Sequence, residues 1–232
     1  MCAAILALGG VFRPRRLASN WAFVGGMLAL AAESACTALS VDPALAPANM
    51  IAMQDWRLVS AAFVPGFWLL FSLTYARGNA DTFIREWRWT LLAAFILPVA
   101  GAGLFFHRLV VSGGHGGIAD YWVFPFGMPA IFLSLVMLAC AVLVLMNLER
   151  TYRASVGTIR WRVKFMLMGI GLLFGVRIFT LSQSIIFRSA DVALEDLNSA
   201  ALLVAGLLAV RSFLRSGRIE VDVYPSHSVL QG

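Results

Sequence analysis

Residues 124–148 read FPFGMPAIFLSLVMLACAVLVLMNL, 25 positions without a charge, and Glu149 and Arg150 follow at once. A run this long and this apolar crosses a hydrocarbon core of about 30 Å as a single helix. Similar blocks lie on both sides of it. They span Leu17–Ser40, Trp56–Tyr75, Trp89–Val111, Trp161–Phe187 and Val192–Phe213, and a shorter one covers Met1–Phe12. Aromatic rings that favour the headgroup level mark many of the ends, among them Trp21, Trp56, Tyr75, Trp87, Trp89, Tyr121, Trp122, Tyr152 and Trp161. Inside lipid the backbone must satisfy its own hydrogen bonds, which leaves helices or a closed barrel. Barrel alternation is absent. The expected fold is all-α, a polytopic transmembrane bundle of about seven helices.

Composition agrees. Apolar residues make up 60% of the 232 and charged residues 13%, against roughly a quarter charged in a soluble domain. The basic residues alternate by connection. Arg13, Arg15 and Arg16 follow the first block; Arg77, Arg85 and Arg88 follow the third. Arg150, Arg153, Arg160, Arg162 and Lys164 follow the fifth, and Arg211, Arg215 and Arg218 the seventh. The other connections hold only Arg57, Arg108 and Arg188, together with Asp42, Asp55, Asp120, Asp191, Glu195 and Asp196. Basic residues accumulate on the cytoplasmic side. The N-terminus is therefore expected outside and the C-terminus in the cytoplasm. The net charge of +6 is read as topology, with attraction to anionic lipid as a side effect. No basic face interleaved with aromatics is available for nucleic acid.

Met1–Phe12 would span only about 18 Å as a helix. Its charges follow the apolar run, whereas a secretory signal carries them in front. A first helix missing some residues is the expectation. Residues 1–218 form one sensor-type transmembrane domain in this reading. Residues 219–232 form a cytoplasmic linker toward further domains, and the gene is expected to continue beyond Gly232.

Two charges lie deep in the spans, Glu33 and Arg177. Each costs several kcal/mol there unless paired or hydrated. Both blocks run from the cytoplasm outward and the two residues reach similar depths, so an ion pair is geometrically possible. Thr37 and Ser40 share a helical face with Glu33; Thr180 and Ser184 share one with Arg177, and Gln183 lies nearby. The set reads either as an interhelical strut or as a ligand-binding or switching site.

Other candidates are weaker. His107, His115 and Asp120 could bind a metal or sense pH, but Ser112-Gly-Gly-His115-Gly-Gly117 lacks tight ligand spacing and reads as a mobile outer loop. Cys2, Cys36 and Cys140 read as buried apolar thiols. Gly171 and Gly175, with Gly169, and Gly25 with Gly26, suit close helix packing. Pro65, Pro98 and Pro129 are expected to kink their helices. Lys164 is the only lysine and sits at a cytoplasmic edge, so it cannot hold a retinal Schiff base in the last helix. Phosphate-binding loops, nucleophile elbows, zinc-protease motifs and phosphoacceptor boxes are all missing. No cofactor and no catalysis by this chain are expected.

The segment Asn147-Leu-Glu-Arg-Thr-Tyr-Arg-Ala-Ser-Val-Gly-Thr-Ile-Arg-Trp-Arg-Val-Lys-Phe165 leads into the sixth block. Val221-Asp-Val-Tyr-Pro-Ser-His-Ser-Val-Leu230 follows the seventh. Both resemble the membrane region of PrsK-type sensor histidine kinases of the bacterial PEP-CTERM/exosortase system. The first 146 residues agree with that family in hydropathy only. The resemblance implies a multi-helix sensor in the bacterial inner membrane, followed by GAF-like and kinase domains. It also implies a response regulator controlling genes for exopolysaccharide and PEP-CTERM proteins, and a homodimer is expected. The chain ends before any kinase motif, so no kinase residue is carried over. A small transporter or channel is the alternative, with Glu33, Arg177 and Gln183 along a path, although no inverted repeat is evident. A membrane-embedded enzyme would need His or carboxylates clustered at one depth, and only Glu33 lies deep.

Overall fold

The computed structural model describes residues 17–42, 46–75, 80–111, 114–116, 121–155 and 158–217. Seven α-helices run through them: α1 Leu17–Ser40, α2 Pro47–Thr74, α3 Ala80–Glu86, α4 Arg88–Leu104, α5 Met128–Ala154, α6 Thr158–Phe187 and α7 Val192–Gly217. Five of these, α1, α2, α5, α6 and α7, are long and apolar enough to cross a membrane. The remaining apolar helix, α4, has 17 residues, about 25 Å of rise and the lower limit for a span. Helix α3 has seven residues and is the short link between α2 and α4. Met1–Phe12, Cys2 and the linker 219–232 lie outside the described residues.

Neighbour relations form a ring. Helix α1 packs on α2, α2 on α4 and α5, α5 on α6, α6 on α7, and α7 closes onto α1. Small residues set the closest approaches. A Cβ on Gly25 would stand 2.5 Å from the Phe67 ring, and one on Gly26 would stand 2.7 Å from Trp68 Nε1. A Cβ on Gly169 would meet the Ala205 backbone oxygen at 3.1 Å. The expected Gly171 and Gly175 pair makes no helix contact, since a Cβ at either meets nothing within 4 Å. Of the three glycines expected to pack in this helix, only Gly169 meets α7, and the Gly171-xxx-Gly175 spacing does not mark the contact face.

Several boundaries differ from the sequence reading. Helix α2 starts at Pro47, nine residues before Trp56, and its 28 residues rise about 42 Å. Pro47 suits a first helical turn, where its missing N–H is no loss, and the polar Gln54 and Arg57 find partners inside the bundle. Helix α4 stops at Leu104, and a 3-10 turn, Phe106–Arg108, replaces its expected end. Pro129 falls in the first turn of α5 and starts that helix instead of kinking it. Pro65 and Pro98 do lie inside α2 and α4.

The outer side carries a small antiparallel sheet that was not expected, with Phe124 and Pro125 in it instead of in the fifth spanning block. Strands β1 Gly114–Gly116, β2 Tyr121–Pro125 and β3 Ser189–Asp191 lie in that order. The register pairs His115 with Trp122, Val123 with Asp191 and Phe124 with Ala190. Period-2 burial explains the strand: Phe124 and Phe126 point inward and Pro125 outward. Gly127 is pinned where the chain turns into α5, its N–H donating to Leu109 O at 2.8 Å.

The core has two parts. Toward the cytoplasm an aromatic cluster joins four helices: Trp68 sits 5.9 Å from Phe23, 5.5 Å from Phe71 and 5.6 Å from Phe174 between ring centroids, and Phe23 lies 5.7 Å from Phe213. Toward the outside a second cluster packs Leu58, Ala62, Leu109, Phe124, Phe126 and Met137 beneath the sheet. Cys140 is buried and Cys36 half-buried, and both are free thiols.

Candidate functional site

Between the aromatic cluster and the outer sheet, the same four helices α1, α2, α6 and α7 share a polar network. Arg177 extends both terminal nitrogens to Glu33: Nη1 donates to Oε2 and Nη2 to Oε1, each at 2.9 Å. Two parallel bonds match the planar guanidinium to the planar carboxylate. Both side chains are buried. Thr37 Oγ1 donates to Glu33 O at 3.0 Å, and Ser40 Oγ donates to Thr37 O at 2.7 Å. The helical face expected to accompany Glu33 is therefore used along its whole length.

A second buried ion pair accompanies the first. Arg57 Nη1 donates to Glu195 Oε1 at 2.6 Å, and both residues are buried. Sequence reasoning placed these two among the outer connections and missed the pair. A signal was present: Gln54 and Arg57, and Glu195 and Asn198, each sit three positions apart at the outer end of a helix, on one face. Arg57 Nε donates to Gln54 Oε1 at 2.7 Å, and Gln54 Nε2 donates to Ser40 Oγ at 2.8 Å. On the other side, Asn198 Nδ2 bonds Glu195 Oε2 at 3.2 Å and Thr180 Oγ1 at 3.0 Å. Thr180 Oγ1 in turn donates to Arg177 O at 3.1 Å.

The network thus runs without a gap from Glu33 through α1 and α2 to Glu195, and through α7 and α6 back to Arg177. Two guanidiniums and two carboxylates balance, so the buried group carries no net charge. That balance is what makes it tolerable: an isolated ion in this environment costs several kcal/mol, whereas a paired and hydrogen-bonded one does not. All four charged groups line one cavity, together with Ser134, Met137, Ser184 and Phe126. Its volume of about 20 Å³ accommodates a water-sized guest and nothing of drug size.

The remaining candidates disperse. Ser184 is buried on this cavity wall. Gln183 does not join Arg177; six positions on, it faces a separate outer cleft with Phe179, Phe187 and Asp191. His107 is exposed on the 3-10 turn, its ring 4.9 Å from that of Phe106. His115 falls in β1, with a side chain outside the described residues, as is Asp120. Among the described residues no group of three His, Cys, Asp or Glu could hold a metal ion. Sequence reasoning also passed over Asp55, which is buried in α2 and accepts from the Val110 backbone.

At the opposite side of the bundle, cations stack on rings at the expected cytoplasmic boundary. Arg88 lies 5.2 Å from the Trp89 ring, Arg160 4.7 Å from Tyr152, Lys164 5.3 Å from Trp161 and Arg211 5.0 Å from Phe165. Amphipathic side chains of this kind lay their stems on apolar surface and keep the charge in the headgroup layer.

Comparison with curated proteins gives no match, and comparison with solved structures gives none either. A family model described as the N-terminal 7TM region of histidine kinase matches residues 1–221. Such a region implies a membrane context and a kinase part in the cytoplasm. The chain is a multi-pass membrane protein and belongs to the family of N-terminal seven-transmembrane regions of histidine kinases.

Proposed function

We propose that this chain is the sensory input region of a PrsK-type kinase of the bacterial inner membrane, and that the Glu33–Arg177 and Arg57–Glu195 pairs are its switching element. The observation that carries the switching role is the linkage of two buried ion pairs across four helices. A stimulus at the outer end that re-pairs one of them shifts α6 and α7 together, because Asn198 and Thr180 tie them. The helices carry that shift inward to the aromatic cluster and on to the linker 219–232. Two packings of a bistable element, biased from one side and read on the other, are sufficient for signalling. The family assignment favours this reading over a transporter or channel.

The finer identity rests on the resemblance of residues 147–165 and 221–230. On that basis the partners are GAF-like and kinase domains in the same polypeptide, a second copy of the protein and a response regulator. The regulated genes are those for exopolysaccharide and PEP-CTERM proteins.

The test is autophosphorylation of the intact kinase in membranes carrying the E33Q/R177Q double variant. A switch predicts that the double variant keeps most of its thermal stability while basal kinase activity changes several-fold. Wild-type activity together with wild-type stability would make the pair a strut and remove the switching role.

A further inference from the structure

A second depression lies at the outward end of α6, and it is larger and of different character from the network cavity. Phe179 and Phe187 of α6, Val123 of β2 and Leu194 of α7 form its apolar walls, and Gln183 and Asp191 form its polar end. Its volume is about 340 Å³, within the range of about 300–1,000 Å³ that ligand sites occupy. Phe179 and Phe187 are 49% and 69% exposed, so the cleft opens sideways from the bundle, toward lipid. Its residues sit in the last turns of α6 and in the strand that follows, at the outer boundary of the membrane.

The charges at this boundary narrow the occupant. Among the described residues, Asp191 is the one charged residue lining the cleft. Its Oδ1 accepts from Ala193 N–H at 2.9 Å, which fixes the carboxylate at the start of α7. Arg188 stands exposed between Phe187 and Ser189, its backbone held at φ 50°. Apolar walls open to the bilayer suit a hydrocarbon chain. A fixed carboxylate suits an ammonium group with N–H donors, and Arg188, outside the cleft lining but between its residues Phe187 and Ser189 in sequence, suits a phosphate at the rim.

We infer that this cleft binds an outer-leaflet phospholipid whose head carries both a primary ammonium and a phosphate, as in phosphatidylethanolamine. Asp191 and Gln183 take the ammonium, Arg188 takes the phosphate, and the upper part of one acyl chain lies along Phe179, Phe187 and Leu194. Phosphatidylglycerol lacks the ammonium and brings a net negative charge to Asp191. Phosphatidylcholine lacks N–H donors. This inference is independent of any switching role for the ion pairs.

Native mass spectrometry of the purified protein tests it, with phosphatidylethanolamine, phosphatidylcholine and phosphatidylglycerol of equal chain length supplied at equal concentration. The expected result is several-fold greater retention of phosphatidylethanolamine, and D191N should abolish that preference. Asparagine caps a helix as well as aspartate does, so the fold at Ala193 survives the change. R188Q should lower retention of all three lipids. Equal retention of the three by the wild-type protein would mean an unselective lipid shell and would overturn the inference. So would a preference that D191N leaves intact, or equal binding of glycerophosphoethanolamine, which has no chains.

Discussion

Glu33 and Arg177 stand 144 positions apart and share two hydrogen bonds, so each single substitution leaves a known group behind. E33Q strands a guanidinium and R177Q strands a carboxylate. Breaking one side of a buried pair costs ~3–5 kcal/mol in soluble proteins, and replacing both sides is often nearly neutral. A freed arginine in a bilayer can snorkel, which lowers its share. Each single variant should therefore melt lower in detergent, and the double variant should regain much of the loss. R57Q and E195Q should repeat the pattern, with the same recovery in the double. Losses that simply add within either cycle would show that the partners do not interact. The first pair was open to view in the sequence as a possibility, because the two charges lie at matching depths, and the packing of the helices makes the contact. The second was not, because Arg57 and Glu195 read as solvated charges at helix ends. Only a helix α2 that begins at Pro47 turns Arg57 inward. Gln183 was grouped with Arg177 by proximity in sequence, yet six positions place it on another face of α6.

At the scale of helices and strands, α1, α2, α6 and α7 are joined twice, by hydrogen-bonded charges toward the outside and by aromatic rings toward the cytoplasm. The α6–α7 contact at Gly169 lies on the cytoplasmic side of Phe174, and its nearest neighbour is backbone. A leucine there must push the helices apart, and overpacking of this kind costs about 1–3 kcal/mol. G169L should lower the melting temperature in detergent clearly, while G171L, on the open face, should leave it within a degree or two. Equal effects would mean that small residues do not set this interface. The long apolar runs made the helices legible from composition and length. The sheet was not legible, because β2 pairs with β3 across the whole of α5 and α6. No local pattern encodes a partner so distant in the chain. The ends of α2 and α4 also escaped, since apolar content along the chain does not by itself mark where a helix starts or stops.

For the molecule as a whole, orientation follows from the basic residues, and the four ring-stacked cations at one boundary agree with it. Reporter fusions after Arg16, Arg88, Lys164 and Arg218 should report cytoplasm, and fusions near Pro47, Gly114 and Ala193 the outside. Inversion at two or more sites would reject the seven-span arrangement. That arrangement sets the polar network inside the electric field of an energised membrane. One elementary charge moved across the full field is worth about 2.3 kcal/mol per 100 mV. Arg57, Arg177, Glu33 and Glu195 sum to zero, so moving the network as a body along the membrane normal does no net electrical work. Separating a guanidinium from its carboxylate along that normal does. The bundle can therefore rock or slide without regard to the proton-motive force, and only the step that parts a pair is open to voltage.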